Sequence, residues 1–451
     1  MRDGVLVGLD IGTTLCKAAV VSEGGVELAH GFARTPWESV ATGAELAPAD
    51  LLEAALEVID EALSRVPRAH VLALGVTSMA ETGVLIDARG DPVAPSIAWH
   101  DTRGESQARG LADRVGAETF TARTGLPPTR LCSAAKYRWL RENDSAARRG
   151  TRWLSVAEWI VHALGGEQLA ELSLASRTGF LDAGRAAWWP EALAWAEAPP
   201  GFLPELCAAA TEAGRARRTR LEGAVLTVAG HDHLAAAVGA GATRHGDLFD
   251  SCGSAEALVR AVAPGISAQA IQNAVAGGVT VGWHVFGENR SLLGGFLSGL
   301  ALRRFLDLLG VADDAREALG EAAIAAPPGA NGLRILEVAA DTATLTGIGP
   351  DVSPALVWRA ALEATQRRAA EIRATIELVA GPSERLVVSG GWSHDAAVRA
   401  VKHEVLGPFD RPPVTEAGAR GAGVLAGVAA GLYSGIDEIP GPDHEREAMR
   451  A

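Results

Sequence analysis

At 451 residues the chain is longer than one ordinary domain core, so two domains of similar size are expected. A composition that is 48% hydrophobic and 21% charged, with 52 glycines and 22 prolines spread along the chain, excludes a disordered or fibrous polymer. The net charge of −14, with no basic stripe to offset it, argues against a nucleic-acid partner, and no run of 18 apolar residues offers a membrane span. The four cysteines (Cys16, Cys132, Cys207 and Cys252) have neither metal-ligand nor disulfide-framework spacing, and the N-terminal stretch has no signal-peptide pattern. A soluble, cytoplasmic protein with reduced thiols is expected.

Short β-rich runs alternate with longer segments of helical period, the pattern of an α/β protein with helices covering sheets. The first strand, 5–9, breaks into Asp10-Ile11-Gly12-Thr13-Thr14 and returns as a second strand over 18–21. Glycine lets successive backbone N–H groups converge, and threonine hydroxyls add donors, so the turn suits phosphate oxygens. Asp10 would repel a bare phosphate and makes sense there with a bridging Mg²⁺, while Lys17 supplies a positive charge. A tight hairpin whose aspartate bonds its own turn fits the same residues.

A helix over 48–64 leads to strands at 71–77 and 84–86. Ala98-Trp99-His100-Asp101-Thr102-Arg103 then sets an aromatic face beside a carboxylate, a combination suited to polyols and equally to a helix start that Asp101 caps. Helices follow over 104–115, 133–141 and 156–163. The strand 225–228 runs into Gly230-His231-Asp232-His233 and a small-residue helix over 235–242. A carboxylate at a strand end that opens a helix lies where α/β folds collect ligands, and an aspartate can accept the proton of an attacking hydroxyl. It can also simply cap the helix. The spacing of His231 and His233 does not put both on one helix face, so a metal pair is not expected.

The pattern breaks at 242–247, where the domain boundary is placed: 1–243, 244–435 and a tail over 436–451. Beyond it, Asp250-Ser251-Cys252-Gly253-Ser254 followed by a strand at 257–262 echoes the opening hairpin, which points to an internal duplication. A helix is expected over 295–309. The longest, 353–379, opens with a Ser-Pro cap and stops before Gly381-Pro382. A strand over 386–389 ends in Gly390-Gly391, where backbone can approach a flat or anionic ligand or merely turn.

In this order the motifs resemble the FGGY family of carbohydrate kinases across roughly residues 4 to 430. Ser173-Leu174-Ala175-Ser176-Arg177-Thr178-Gly179 and Glu416-Ala417-Gly418-Ala419-Arg420-Gly421-Ala422 support the likeness. The resemblance implies a two-domain actin-like ATPase fold that closes on ATP and a small sugar, ketose or polyol. It implies Asp232 as catalytic base and Asp10 as the Mg²⁺ residue. Gly12, Thr13, Thr14 and Lys17 would form the first phosphate hairpin and Gly253 and Ser254 the second. Gly390 and Gly391 match the adenosine turn, with Trp392 where the family often has a third glycine. In the acceptor loop, Met79-Ala80-Glu81 departs from the Gln-Met-His of xylulokinases and the Gln-Arg-Glu of glycerol kinases. Met79, Glu81, Trp99, Asp101 and Asp232 are then the expected substrate residues. The expected partner is a small sugar or polyol, with a homodimer a possible assembly; the alternative reading of the same residues is an actin-like ATPase or sugar-responsive regulator without sugar kinase activity.

Overall fold

The computed structural model describes residues 4–217, 220–338, 342–442 and 445–446. The opening strand β1 (Gly4–Ile11) turns into β2 (Leu15–Ser22), which pairs in turn with β3 (Glu27–Arg34), both antiparallel. On the other side of β1 lie β4 (His70–Ser78) and β5 (Val225–His231), both parallel, giving a five-stranded sheet of order β5-β4-β1-β2-β3.

The second sheet begins again at β6 (Asp247–Cys252), which pairs antiparallel with β7 (Glu256–Val262). Then come β8 (Val279–Trp283), β9 (Arg290–Phe296), β10 (Arg385–Ser389), β11 (Asp410–Arg411) and β12 (Glu445–Arg446). Their order is β8-β9-β7-β6-β10-β11-β12. Within it, β11-β10-β6-β7-β9 reproduces the first sheet strand for strand: β10 is parallel to β6 and to β11, and β7 is antiparallel to β6 and to β9. The echo between Asp10 and Asp250 is thus a true structural repeat.

Seven helices matter to the site: α1 (Pro48–Ser64), α2 (Val156–Ala163), α3 (Asp232–Gly239), α4 (Ser298–Leu308), α5 (Pro354–Ala380), α6 (Ala396–Leu406) and α7 (Ala417–Ala429). Local signals set their ends. Ser155 and Glu158 close a capping box on α2, and Ser353 caps α5 with Pro354 in its first turn. Two expectations shift. The helix expected over 295–309 starts at Ser298, because Gly295 and Phe296 pair with Ala257 and Glu256 as the end of β9. The helix expected over 235–242 starts at Asp232 and ends at Gly239.

Strand periodicity sorts the core into layers. Val5, Val7, Leu9 and Ile11 face a core shared with α1 and α2. Leu6 faces the opposite way, into a core made by α3, α7 and residues of the second sheet, among them Phe249, Val259 and Val387. Leu248, Leu386 and Val388 look out from the far side of the second sheet onto Ile372 and Ile376 of α5. The helices α3 and α7 therefore lie between the two sheets.

Glycine makes that middle layer thin. A Cβ on Gly8 would lie 1.7 Å from Ala419 O, and one on Gly75 2.0 Å from Ala422 O, so α7 rests directly on the backbone of β1 and β4. Gly421 and Gly239 allow α7 and α3 the same approach. Of the segment 436–451, Glu445–Arg446 pairs with Asp410–Arg411, whereas 443–444 and 447–451 lie outside the described residues. Among the described residues no helix is long and apolar enough to cross a membrane.

Candidate active site

The tips of the two repeated hairpins meet, with Thr14 Oγ1 and Ser254 Oγ 3.5 Å apart, at the mouth of a cleft of about 990 Å³ between the sheets. Gly12, Thr13, Thr14 and Lys17 line it from the first sheet, and Gly253 and Ser254 from the second. Trp37 and Trp99 brace the first tip: their indole N–H groups donate to Thr13 O at 2.7 Å and Thr13 Oγ1 at 2.9 Å. Gly390 and Gly391 line the cleft beside the second hairpin. At Gly390, φ is 100° and a Cβ would lie 2.6 Å from Cys252 O, so only glycine fits where β10 passes the second hairpin. Trp392, in place of a third glycine, sits against Gly299, where a Cβ would meet its Nε1 at 2.5 Å. It stacks under the Arg316 guanidinium at 4.3 Å.

Period two puts Asp10 on the same face as Leu6 and Gly8, beneath the start of α7. It is only 7% exposed, and its Oδ1 is buried without a hydrogen-bond partner. Burial pushes its pKa up to about 7. Lys17 opposes the shift, while Asp232 and Glu416 add to it. Lys17 is the cross-strand partner of Asp10 and donates to Glu416 Oε2 at 2.8 Å. Burial works against its charge, but Asp10 and Glu416 outweigh that and raise its pKa.

Asp232 is the first residue of α3, at the end of β5, and lines the cleft. Its Oδ1 accepts the His233 N–H at 2.7 Å, and His231 Nε2 lies 3.3 Å away. Burial raises its pKa to about 7, with the Glu81 charge adding and the His233 N–H and Lys17 opposing. His231 and His233 are held neutral by burial, His233 down to about 4.

Across the cleft, Met79 and Glu81 follow β4. Glu81 has a φ of 63°, a left-handed conformation that a non-glycine residue keeps only when its surroundings impose it. Two contacts do so: Ser133 Oγ donates to Glu81 O at 2.9 Å, and Arg177 Nε donates to Glu81 Oε1 at 2.7 Å. The same guanidinium donates to Thr280 Oγ1 of β8 at 2.7 Å, tying the loop after β4 to the second sheet.

Asp101 is the one expected site residue that the structure places elsewhere. It is fully buried and does not line the cleft. Arg103 donates to both of its oxygens, and Ala44 N and Thr42 Oγ1 donate to Oδ2, so nothing remains for a substrate. Burial would raise its pKa, but Arg103 outweighs this and holds it low. Asp250, the repeat partner of Asp10, is likewise internal: buried Lys402 neutralises it together with Glu256, which accepts from Lys402 Nζ at 2.8 Å. That lysine also occupies the place a cation would take beside Asp250, Cys252 and Glu256. Residues not singled out from sequence as site residues are Arg177, Thr280, Glu416 and Gly418, all of which line the cleft. Arg177, Glu416 and Gly418 sit within segments that the sequence had marked for other reasons.

Two sheets of one topology, each lending a glycine-hydroxyl hairpin to a common cleft, define the actin-like two-domain ATPase fold. Solved structures agree. The chain matches the xylulose kinase of Rhodospirillum rubrum at TM-score 0.85 and 25% identity, over 97% of this chain and 94% of that one. It matches Plasmodium falciparum glycerol kinase with ADP at TM-score 0.86 and 16% identity, over 99% and 95%, a likeness of fold alone. In sequence it is 29% identical to the glycerol kinase of Aromatoleum aromaticum over 96% of this chain and 92% of that one. The family model for the N-terminal domain of the FGGY family of carbohydrate kinases matches residues 5–239. The chain belongs to the FGGY family of carbohydrate kinases, which are ATP-dependent phosphotransferases.

Proposed function

We propose that this kinase transfers the γ-phosphoryl group of ATP to a hydroxyl of a small sugar, ketose or polyol, with Asp232 as general base. The observation that carries the reading is the position of Asp232: a half-buried carboxylate at a strand end, lining the same cleft as both hairpins and Glu81, with Oδ1 occupied by its own helix N–H. Its Oδ2 is then the oxygen that takes the acceptor proton as the hydroxyl attacks. A phosphoryl-transfer transition state spreads charge over its equatorial oxygens, so catalysis is mostly positioning and charge stabilisation. Thr13, Thr14 and Lys17 on one side, and Gly253 and Ser254 on the other, supply those donors.

Mg²⁺ would neutralise the phosphate charge when bound with the nucleotide. Asp10 fits the holder of such an ion, because its Oδ1 is buried without a partner and its proton affinity is raised, chiefly by burial and further by Asp232 and Glu416. Gly390, Gly391 and the Trp392 ring form the adenosine end. We place the domain division at 243/244, the hairpins closing on each other across the cleft and excluding water as a rival acceptor.

Glu81 and Asp232 face the acceptor as hydroxyl ligands, with Met79 and Trp99 as walls. Ala80 offers no side chain like the arginine expected of glycerol kinases, so the acceptor is read as a sugar or polyol other than glycerol. The test is a coupled ADP-release screen over pentuloses, deoxyhexuloses and polyols. An acceptor that stimulates release and is recovered phosphorylated supports the reading; ADP release with no phosphorylated product from any acceptor contradicts it.

A further inference from the structure

Lys17, the cation offered to the phosphates, is engaged by Glu416, a carboxylate from the opposite end of the chain. The two side chains are 27% and 18% exposed, so the pair faces the cleft. Glu416 is firmly placed. Its backbone N–H donates to Glu27 Oε1 at 3.0 Å, the preceding Thr415 N–H donates to Glu27 Oε2 at 2.8 Å, and α7 begins at the next residue. A carboxylate fixed here is a liability for nucleotide binding. Once Lys17 reaches phosphate oxygens, Glu416 stands next to a polyanion with its partner drawn away, and like charges at such range repel.

The adjacent Asp10 has the same difficulty and carries an oxygen with no partner at all, although the residue is 93% buried, the complement of its 7% exposure. Gly418, two residues past Glu416, leaves room for it: a Cβ there would sit 2.4 Å from Asp10 Oδ2. Two carboxylates flank Lys17, one its cross-strand neighbour with an unsatisfied oxygen and the other its hydrogen-bond acceptor, a pairing suited to a divalent cation that keeps several of its waters.

We infer that Glu416 is the second carboxylate of the divalent-cation site, held by Lys17 in the nucleotide-free cleft and released to the cation's water shell when Lys17 turns to the phosphates. The inference rests on the reading of Asp10 and Lys17 as the metal–nucleotide end of the cleft. In this exchange Lys17 trades one anionic acceptor for another, and Glu416 trades Lys17 for a hydrated cation. Neither charge is left bare in either state. A role confined to holding the Lys17 rotamer would leave Glu416 indifferent to metal.

The experiment is a titration of the non-hydrolysable ATP analogue AMP-PNP, with Mg²⁺ and with EDTA, against wild type, Glu416→Gln, Glu416→Asp and Asp10→Asn. Melting curves check that each variant is folded. In Glu416→Gln, affinity without Mg²⁺ is expected to hold or rise, because a like charge is gone. With Mg²⁺ it should fall, so that the Mg²⁺ enhancement shrinks by about tenfold, the scale of one charge-assisted hydrogen bond. Glu416→Asp keeps part of the enhancement, and Asp10→Asn loses most of it. Equal weakening of Glu416→Gln with and without Mg²⁺ would reduce Glu416 to a support for Lys17 and overturn the inference. An enhancement unchanged from wild type would overturn it equally. Failure of wild type to bind AMP-PNP with Mg²⁺ would instead overturn the reading of the cleft, and this inference with it.

Discussion

Replacing Gly418 by alanine should separate activity from stability. The added Cβ would lie 2.4 Å from Asp10 Oδ2 and 2.9 Å from its Cγ. Ordinary contacts between such atoms need about 3.5 Å, so the carboxylate must retreat by roughly 1 Å. The backbone has no reason to move, since Gly418 lies in α7 and is not among the positive-φ glycines, and alanine favours a helix over glycine by up to about 1 kcal/mol. The melting temperature should therefore hold or rise. A displacement of about 1 Å in a positioning group costs on the order of 10²-fold in turnover, or about 2.7 kcal/mol of barrier. The assay is initial-rate ADP release with the acceptor found by screening, beside a thermal melt. Gly8→Ala is the internal contrast: its Cβ meets the Ala419 carbonyl at 1.7 Å, backbone against backbone, so it should cost about 1–3 kcal/mol of stability. A Gly418→Ala enzyme turning over within about threefold of wild type at an unchanged melting temperature would refute the placement of Asp10 in the reaction.

Arg177→Met should raise the acceptor KM and lower turnover while leaving AMP-PNP affinity intact, because it frees Glu81 from its imposed conformation and cuts the tie to Thr280; a variant altered only in nucleotide affinity would contradict this. Lys402→Met leaves buried Asp250 and Glu256 without their cation and should destabilise the protein by about 3–5 kcal/mol in denaturant titration. Asp232 must be ionised to accept a proton and titrates at about 7, so kcat/KM should fall as pH drops below 7, and a profile flat to pH 5 would exclude it as base. Stability runs the opposite way. Asp232, Glu158 and Glu171 are raised to about 7 by burial, so the folded state binds more protons than the unfolded one between the ordinary carboxylate range and 7. Their contribution is full below that range and is lost as pH rises through 7. Below the ordinary histidine range the buried, neutral His231, His233 and His284 bind fewer protons than in the unfolded chain and oppose this gain, so ligand-free protein should melt higher at pH 6.5 than at pH 8.

What could be read from the chain was whatever rests on local pattern. Alternation and glycine turns disclosed both hairpins, because a strand of period two that breaks into Asp, Gly and a hydroxyl looks the same wherever it occurs. The layering between the sheets was legible only in part. Gly8, Gly75 and Gly421 are contact surfaces for helices far along the chain, which no local window shows. Asp101 was misplaced for a similar reason: Arg103 lies two residues on, but the Ala44 N–H that completes its burial is 57 positions away. Arg177 finds Glu81 across 96 positions and Glu416 finds Lys17 across 399. Both stood in quoted segments, yet only folding gives their charges partners. The start of α4 slipped because Gly295 and Phe296 satisfy a neighbouring strand before the helix begins.

Acceptor-dependent phosphoryl transfer by wild type and Asp232→Asn, compared side by side with AMP-PNP binding, bears most directly on the central claim. Asparagine keeps the shape and the oxygen that accepts the His233 N–H but takes no proton at cleft pH. Turnover to a phosphorylated sugar or polyol should fall by about 10²- to 10⁴-fold, with AMP-PNP affinity and melting temperature unchanged. Near-normal acceptor-dependent ADP release and product formation by Asp232→Asn would contradict the assignment of the base.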